Sequence, residues 1–232
     1  MNDRALVLAM GKGRMVEETL RLWEQLGYDM EPVREALRDR KMIAEAGPFR
    51  VLLAKDADVP IYVEQGAADL GITGRDVLRE TGADVLVPLL LGTLIPSSRC
   101  RLALISPRAT RDRNWRLAHN LTIATKYPNV TQEYVDQQGL GAQVIGLSGN
   151  VELAPACGMA DLIVDIVQSG TTLRENDLVE LDTILACEAT LIVNRASQKL
   201  RPLAIRGLVE RLEETERHQV GHKGSEKDGY TV

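Results

Sequence analysis

The sequence predicts an α/β protein made of two similar lobes, and three observations carry that prediction. Apolar runs of strand length alternate with segments of helical periodicity, beginning with a strand–turn–helix unit at the N-terminus. An internal echo relates Gln65–Ile72 (QGAADLGI) to Cys157–Val164 (CGMADLIV): each is a helix end, a glycine, then Ala-Asp-Leu feeding a strand. The length, 232 residues, suits one large domain or two small ones. If the echo is a true repeat, the cleft between the lobes is where a ligand is expected.

The elements follow in order. Ala5–Met10 reads as a buried strand, Gly11-Lys12-Gly13-Arg14 as a turn, and Met15–Leu26 as a helix with Gly27 past its end. The basic cluster Arg34, Arg38, Arg40 and Lys41 fits a helix or hairpin with a solvated face. Phe49–Ala54 is a strand; Asp58–Gln65 is a helix with Asp58 as its cap and Pro60 in its first turn. Strand Asp69–Thr73, helix Asp76–Thr81, and strands Val85–Leu91, Arg101–Ser106 and Leu121–Thr125 come next. Helix Asn129–Gln138, strand Gln143–Leu147 and strand Leu162–Val167 follow, with a short helix from Leu173. Leu178–Cys187 reads as a helix end plus a strand, Ala189–Val193 as a strand and Ser197–Thr215 as a helix. Beyond about Glu216 the apolar periodicity stops, and the expectation is a disordered tail over 213–232.

Composition narrows the function classes. A net charge of −5 argues against a general nucleic-acid binder, without excluding a local basic pocket. Cys100, Cys157 and Cys187 are widely spaced with no metal-type pairing, which suggests reduced thiols in a cytoplasmic protein. The N-terminal apolar run is too short for a signal sequence or a membrane span, so no membrane partner is expected. His119, His218 and His222 show no metal spacing, and no nucleophile motif appears.

The richest segment is Glu152–Leu173, ELAPACGMADLIVDIVQSGTTL. Asp165 stands in an apolar strand where a purely structural strand would place Val or Ile, and Ser169-Gly170-Thr171-Thr172 follows at a helix start. Backbone amides at such a turn cradle phosphate. The carboxylate upstream cannot bind phosphate but accepts hydrogen bonds from sugar hydroxyls, so the pair suits a ribose 5-phosphate. An ordinary capped strand–turn–helix accounts for the same residues, and spacing does not separate the two. Glu152 is an acid near a helix start, suited to the helix dipole, to ribose or to a metal. Gly11, Lys12, Gly13 and Arg14 lack the Walker spacing but offer cations and glycines to a phosphate; a solvated basic turn explains them as well. Lys55 and Lys126 both lie just past strand ends, where α/β proteins bind ligands.

These residues, with Ala9–Arg14, Tyr62–Leu78, Thr122–Val135 and Ala189–Ser197, make a set of ordered matches to about residue 212 that resembles the ATP phosphoribosyltransferase family in its short form. The resemblance implies a two-lobed fold like the type II periplasmic binding proteins, each lobe a mixed sheet flanked by helices, with the active site in the cleft. Lobe I would be 1–92 plus 180–212, and lobe II 93–179. It implies transfer of the phosphoribosyl group of phosphoribosyl pyrophosphate to N1 of ATP, releasing pyrophosphate, with a need for Mg²⁺. It implies that Glu152, Asp165, Ser169, Gly170, Thr171 and Thr172 bind phosphoribosyl pyrophosphate, and that Gly11, Lys12, Gly13 and Arg14 meet ATP or the leaving group. Arg14, Arg40 and Lys55 would be catalytic, and Mg²⁺ would be held mainly by substrate phosphates with help from Glu152. It also implies a homodimer core joined by a regulatory subunit resembling histidyl-tRNA synthetase, in a hetero-octamer. Two departures stand out: Leu94–Arg99 lacks the family's usual acidic, glycine-rich strand end, and Lys55 replaces the frequent Arg, losing its bidentate fork. A solute-binding module on the same fold and a purely regulatory protein are the competing readings, and fold alone does not decide among them.

Overall fold

A computed structural model describes residues 5–225, which fall into two compact units: the chain up to Ser98 together with the chain from Glu188 on, and Arg99–Cys187. The first unit runs β1 (Leu6–Gly11), α1 (Val16–Gln25), α2 (Glu31–Arg38), β2 (Ile43–Ala46), β3 (Phe49–Ala54), α3 (Val59–Glu64), β4 (Leu70–Gly74), α4 (Arg75–Thr81) and β5 (Leu86–Leu90). The second contains β6 (Cys100–Pro107), β7 (Leu121–Thr125), α5 (Pro128–Gln138), β8 (Ala142–Gly146), α6 (Leu153–Ala156), β9 (Leu162–Val167), α7 (Thr171–Glu175) and β10 (Leu178–Cys187). The chain then returns to the first unit as β11 (Ala189–Val193), α8 (Arg195–Leu200) and α9 (Pro202–Ser225).

The first sheet has the order β2-β3-β1-β4-β11-β5, with β1 parallel to both β3 and β4. Alternation along β1 sends Leu6, Leu8 and Met10 to one face and Val7 and Ala9 to the other. Leu8 and Met10 pack with Leu20, Trp23 and Phe49 under α1 and α2. Val7 and Ala9 pack with Val59 and Val63 of α3. Since α1 and α3 cover opposite faces, the chain reverses its winding direction beside β1, and the crevice of this sheet opens at the carboxyl ends of β1, β3 and β4.

The second sheet repeats the plan, in the order β10-β6-β9-β7-β8, with β7 parallel to β8 and β9. Here α5 packs Val130 and Tyr134 against Leu121 and Ile123, while α6 packs Ala154 against Ala124 and Ile163 on the other face. The crevice of this unit therefore opens at the carboxyl ends of β7, β8 and β9. The echo seen in the sequence is a shared build: Gly66 and Gly158 both end a helix at positive φ, 72° and 71°, and Asp69 and Asp161 then enter the strand.

Four expectations need correction. The boundary expected at 179/180 falls inside β10, because Leu178–Cys187 is one continuous strand laddered on β6, bulged near Asp182, with no helical part. The first boundary lies at Ser98/Arg99 rather than 92/93. The helix expected over Ser197–Thr215 is two helices, broken at Arg201 because Pro202 cannot donate into the preceding turn. The tail expected to be disordered from residue 213 continues α9 to Ser225; residues 226–232 lie outside the described part.

Candidate active site

In the second unit the candidate side chains gather where β7, β8 and β9 end. Asp165 stands on the same face of β9 as Ile163 and Val167, opposite Ala103 of β6. Burial raises its carboxyl above the ordinary range; the Ile166 amide and the Lys126 ammonium pull it back, and the Glu152 carboxylate pushes it further up. Lys126 follows β7, and Glu152 immediately precedes α6, so three elements bring these charges to one edge. Beneath them Thr125 fixes the strand ends: its hydroxyl donates to the Val164 carbonyl at 2.8 Å and accepts from the Tyr127 amide at 2.9 Å.

The turn after β9 gathers small side chains, hydroxyls and a guanidinium. Gly170 has φ 71°, a left-handed conformation that a side chain would strain. The Ser169 and Thr171 hydroxyls lie 3.0 Å apart. Arg174, one turn into α7, donates to the Ser169 carbonyl at 3.3 Å and to Thr171 Oγ1 at 3.0 Å. The other end of the helix is tied by Asn176, whose Nδ2 donates to the Thr172 carbonyl at 2.9 Å. With only five residues, α7 contributes little dipole, so what the turn offers an anion is its first-turn amides, hydroxyls and the Arg174 guanidinium. Ser169, Thr171 and Thr172 are exposed.

In the first unit the remaining candidates cluster at the ends of β1, β3 and β4. Gly11 closes β1 opposite Ala54, and the Lys12 amide donates to the Ala54 carbonyl at 3.3 Å. Lys12 Nζ lies 2.8 Å from Met42 Sδ, which brings the loop carrying Arg40 beside the glycine turn. Arg40 itself is exposed at φ 57° in the turn closing α2, next to the Lys41–Asp39 ion pair at 2.9 Å. Lys55 is exposed at the end of β3. By contrast, Arg34 is committed elsewhere, to Glu17 and Glu24, and Arg38 to Glu31. Thr73, at the end of β4, buries a hydroxyl that has no hydrogen-bond partner.

Three groups at these edges were not assigned from the sequence. Lys126 stood out only as a cation past a strand, and nothing in its spacing tied it to Asp165. Arg174 belongs to no motif in the sequence. Asp56 was passed over for Asp58, expected to cap α3; the Asp58 side chain makes no capping bond, whereas the Asp56 carboxylate accepts the Gly13 amide. The glycines of this turn have negative φ, so they are not there for backbone freedom. They are there for space: a β-carbon at either position would overlap the Asp56 carboxylate.

Among the described residues no group of three or more His, Cys, Asp or Glu side chains is placed to hold a metal. Glu152 and Asp165, two carboxylates at one edge, fit a cation carried largely by phosphate oxygens rather than a dedicated protein cage. Among the same residues no helix is long and apolar enough to cross a membrane.

The family model for ATP phosphoribosyltransferase, HisG, matches residues 55–214. An ATP phosphoribosyltransferase of Sorangium cellulosum is 43% identical over 211 residues, covering 90% of this chain and 95% of the relative. One from Thermococcus gammatolerans is 45% identical over 198 residues, covering 85% and 92%. Among solved structures, the ATP phosphoribosyl transferase (HisG:HisZ) complex from Thermotoga maritima aligns with TM-score 0.77 at 33% identity, covering 92% of this chain and 99% of that one. The periplasmic aliphatic sulphonate binding protein SsuA from Escherichia coli aligns with TM-score 0.57 at 13% identity over 96% of this chain and 71% of that one, a likeness of fold.

Proposed function

The chain belongs to the ATP phosphoribosyltransferase family, the enzymes of the first step of histidine biosynthesis, and from that premise we propose how its residues divide the reaction. The observation that carries the proposal is Asp165, a half-buried carboxylate one strand-end away from a Ser-Gly-Thr-Thr turn backed by Arg174. The turn, Ser169–Thr172, holds the 5-phosphate of phosphoribosyl pyrophosphate, and Asp165 accepts hydrogen bonds from the ribose hydroxyls. Lys126 balances the Asp165 charge, and Glu152 supports the ribose or the cation. In the first unit, Lys12, Arg14, Arg40 and Lys55 meet the triphosphate and the departing pyrophosphate.

In the transfer, N1 of adenine bonds to C1′ of the ribose as the bond from C1′ to the pyrophosphate oxygen breaks. N1 is neutral and carries a lone pair, so attack needs no strong general base. The work left to the protein is holding two polyanions in line and stabilising charge on the leaving group. Mg²⁺, when bound, would supply further charge neutralisation, and Glu152 would help hold it. The Asp165 and Glu152 carboxylates also favour the positive character that C1′ acquires.

We propose further that the chain forms a homodimer core in the cytoplasm and joins a separate regulatory subunit; the alignment to the Thermotoga maritima HisG:HisZ complex supports the regulatory partner. The deciding experiment mixes the protein with ATP, phosphoribosyl pyrophosphate and Mg²⁺, with and without such a subunit, and follows pyrophosphate. Release that depends on all three components, and falls with Asp165→Ala while the fold persists, supports the assignment. Binding of either substrate with no release in either condition would leave a binding module.

A further inference from the structure

The glycine turn of the first unit is already occupied by the protein's own carboxylate. Asp56, in the turn between β3 and α3, sets one oxygen over each glycine. A β-carbon at Gly11 would overlap Oδ1 and lie 2.7 Å from Cγ; one at Gly13 would overlap Oδ2 and lie 3.0 Å from Cγ. The Gly13 amide donates to this carboxylate. Although the residue as a whole is exposed, the carboxylate sits against the turn and loses enough water to raise its pKa. The Arg14 cation favours its charge, and the Asp76 carboxylate, next to the end of β4, opposes it.

We propose that Asp56 is a positioning residue whose carboxylate, seated across Gly11 and Gly13, fixes the backbone from which Lys12 and Arg14 reach the substrate phosphates. A phosphate therefore does not take the Gly13 amide; it meets the two side chains. This rests on the reading that Lys12 and Arg14 bind substrate anions. The contact also makes a steric prediction: Gly13→Ala evicts the carboxylate as effectively as Asp56→Ala removes it, because the displaced group is the free end of a side chain.

The test measures kcat and KM for ATP and for phosphoribosyl pyrophosphate in Arg14→Ala, Asp56→Ala, Asp56→Asn, Gly13→Ala and the Gly13→Ala/Asp56→Ala double variant, with melting temperatures alongside. Arg14→Ala identifies the substrate concerned; if neither KM moves, the reading of the turn fails. Asp56→Ala and Gly13→Ala each raise that same KM about tenfold, the scale of one lost charge-assisted hydrogen bond, with kcat moving less. The double variant is no worse than either single one, and Asp56→Asn, which still accepts the Gly13 amide, stays near wild type. A lower KM in Asp56→Ala would show that the carboxylate merely repels phosphate and would overturn the proposal. So would additive losses in the double variant, or an Asp56→Ala enzyme with unchanged KM while Arg14→Ala is impaired.

Discussion

Asp69 and Asp161 make the same pair of hydrogen bonds in the two units. Each carboxylate accepts the amide of a residue at the start of the neighbouring parallel strand, Val7 of β1 at 2.8 Å and Thr122 of β7 at 3.0 Å. Each backbone amide donates to the carbonyl of that same residue, at 2.8 and 2.9 Å. The clasp ties the entry of β4 or β9 to the strand beside it, and so sets the register that brings three carboxyl ends to one edge. Asp69 carries more: Ser197 Oγ donates to it at 2.7 Å, and Arg201 pairs with it at 3.5 Å with both side chains largely buried.

Asp69→Ala is therefore expected to cost more stability than Asp161→Ala. Removing Asp161 leaves the Thr122 amide without its acceptor, about 1–3 kcal/mol. Removing Asp69 takes the acceptor from the Val7 amide and the anion from Arg201, which keeps only the Ala5 carbonyl at 3.1 Å, about 3–5 kcal/mol. Urea unfolding of both variants gives the comparison; equal losses would contradict the difference in partners.

Asp165→Asn should separate activity from stability in opposite directions. Turnover falls by about 10²-fold or more, the scale of losing one preorganised polar group. The fold gains. Burial raises the carboxyl's folded pKa, so between the unfolded value, 3.8, and the raised folded one the native state holds more protons than the unfolded state. Stability contributed at low pH is thus lost as pH rises through the folded pKa. The variant should melt higher than wild type at neutral pH, with the gap closing below about pH 4. A drop in melting temperature at pH 7 would count against this.

Arg174→Ala should raise KM for phosphoribosyl pyrophosphate about tenfold and leave KM for ATP alone. The guanidinium braces the Ser169 carbonyl and Thr171 Oγ1, and a charge-assisted contact of this kind is worth about 1.5–3 kcal/mol. Steady-state kinetics with each substrate varied in turn checks the selectivity; a matching rise for ATP would place Arg174 elsewhere in the reaction.

Gly170→Ala forces a side chain into the left-handed region, a cost of about 1–2 kcal/mol. The expected result is a small fall in melting temperature together with weakened phosphoribosyl pyrophosphate binding by calorimetry. Normal binding would show that the turn tolerates rearrangement.

Most strands were legible because their signal is local. Leu121–Thr125, Leu162–Val167 and Ala189–Val193 are short apolar-rich runs, broken only by threonines and by Asp165, and each strand has those bounds. The misses have physical causes. β2 (Ile43–Ala46) alternates buried and exposed residues on a sheet edge, too short to stand out. α2, left open between helix and hairpin, is masked by charges that pair across its surface to Glu17, Glu24 and Glu31. In β10, Glu180 and Asp182 look out of place until Arg101 and the Tyr134 hydroxyl are seen to meet them, at 2.6 and 2.7 Å. At the candidate site, Asp165 and Ser169–Thr172 were readable as neighbours in sequence. Asp56 and Lys126 were not, since each acts on a partner more than thirty residues away.

The return of β11 has a consequence for synthesis on the ribosome. This strand sits between β4 and β5, yet it follows them by about a hundred residues, with the whole of Arg99–Cys187 made in between. The inserted unit has every strand of its sheet once Cys187 has emerged. The first unit, although begun earlier, lacks an interior strand until Val193 appears, leaving the edges of β4 and β5 unpaired through that interval. Such pairing across a long separation is slow and exposed to wrong partners. The order of completion is therefore the reverse of the order of translation: the unit made second is the first to close.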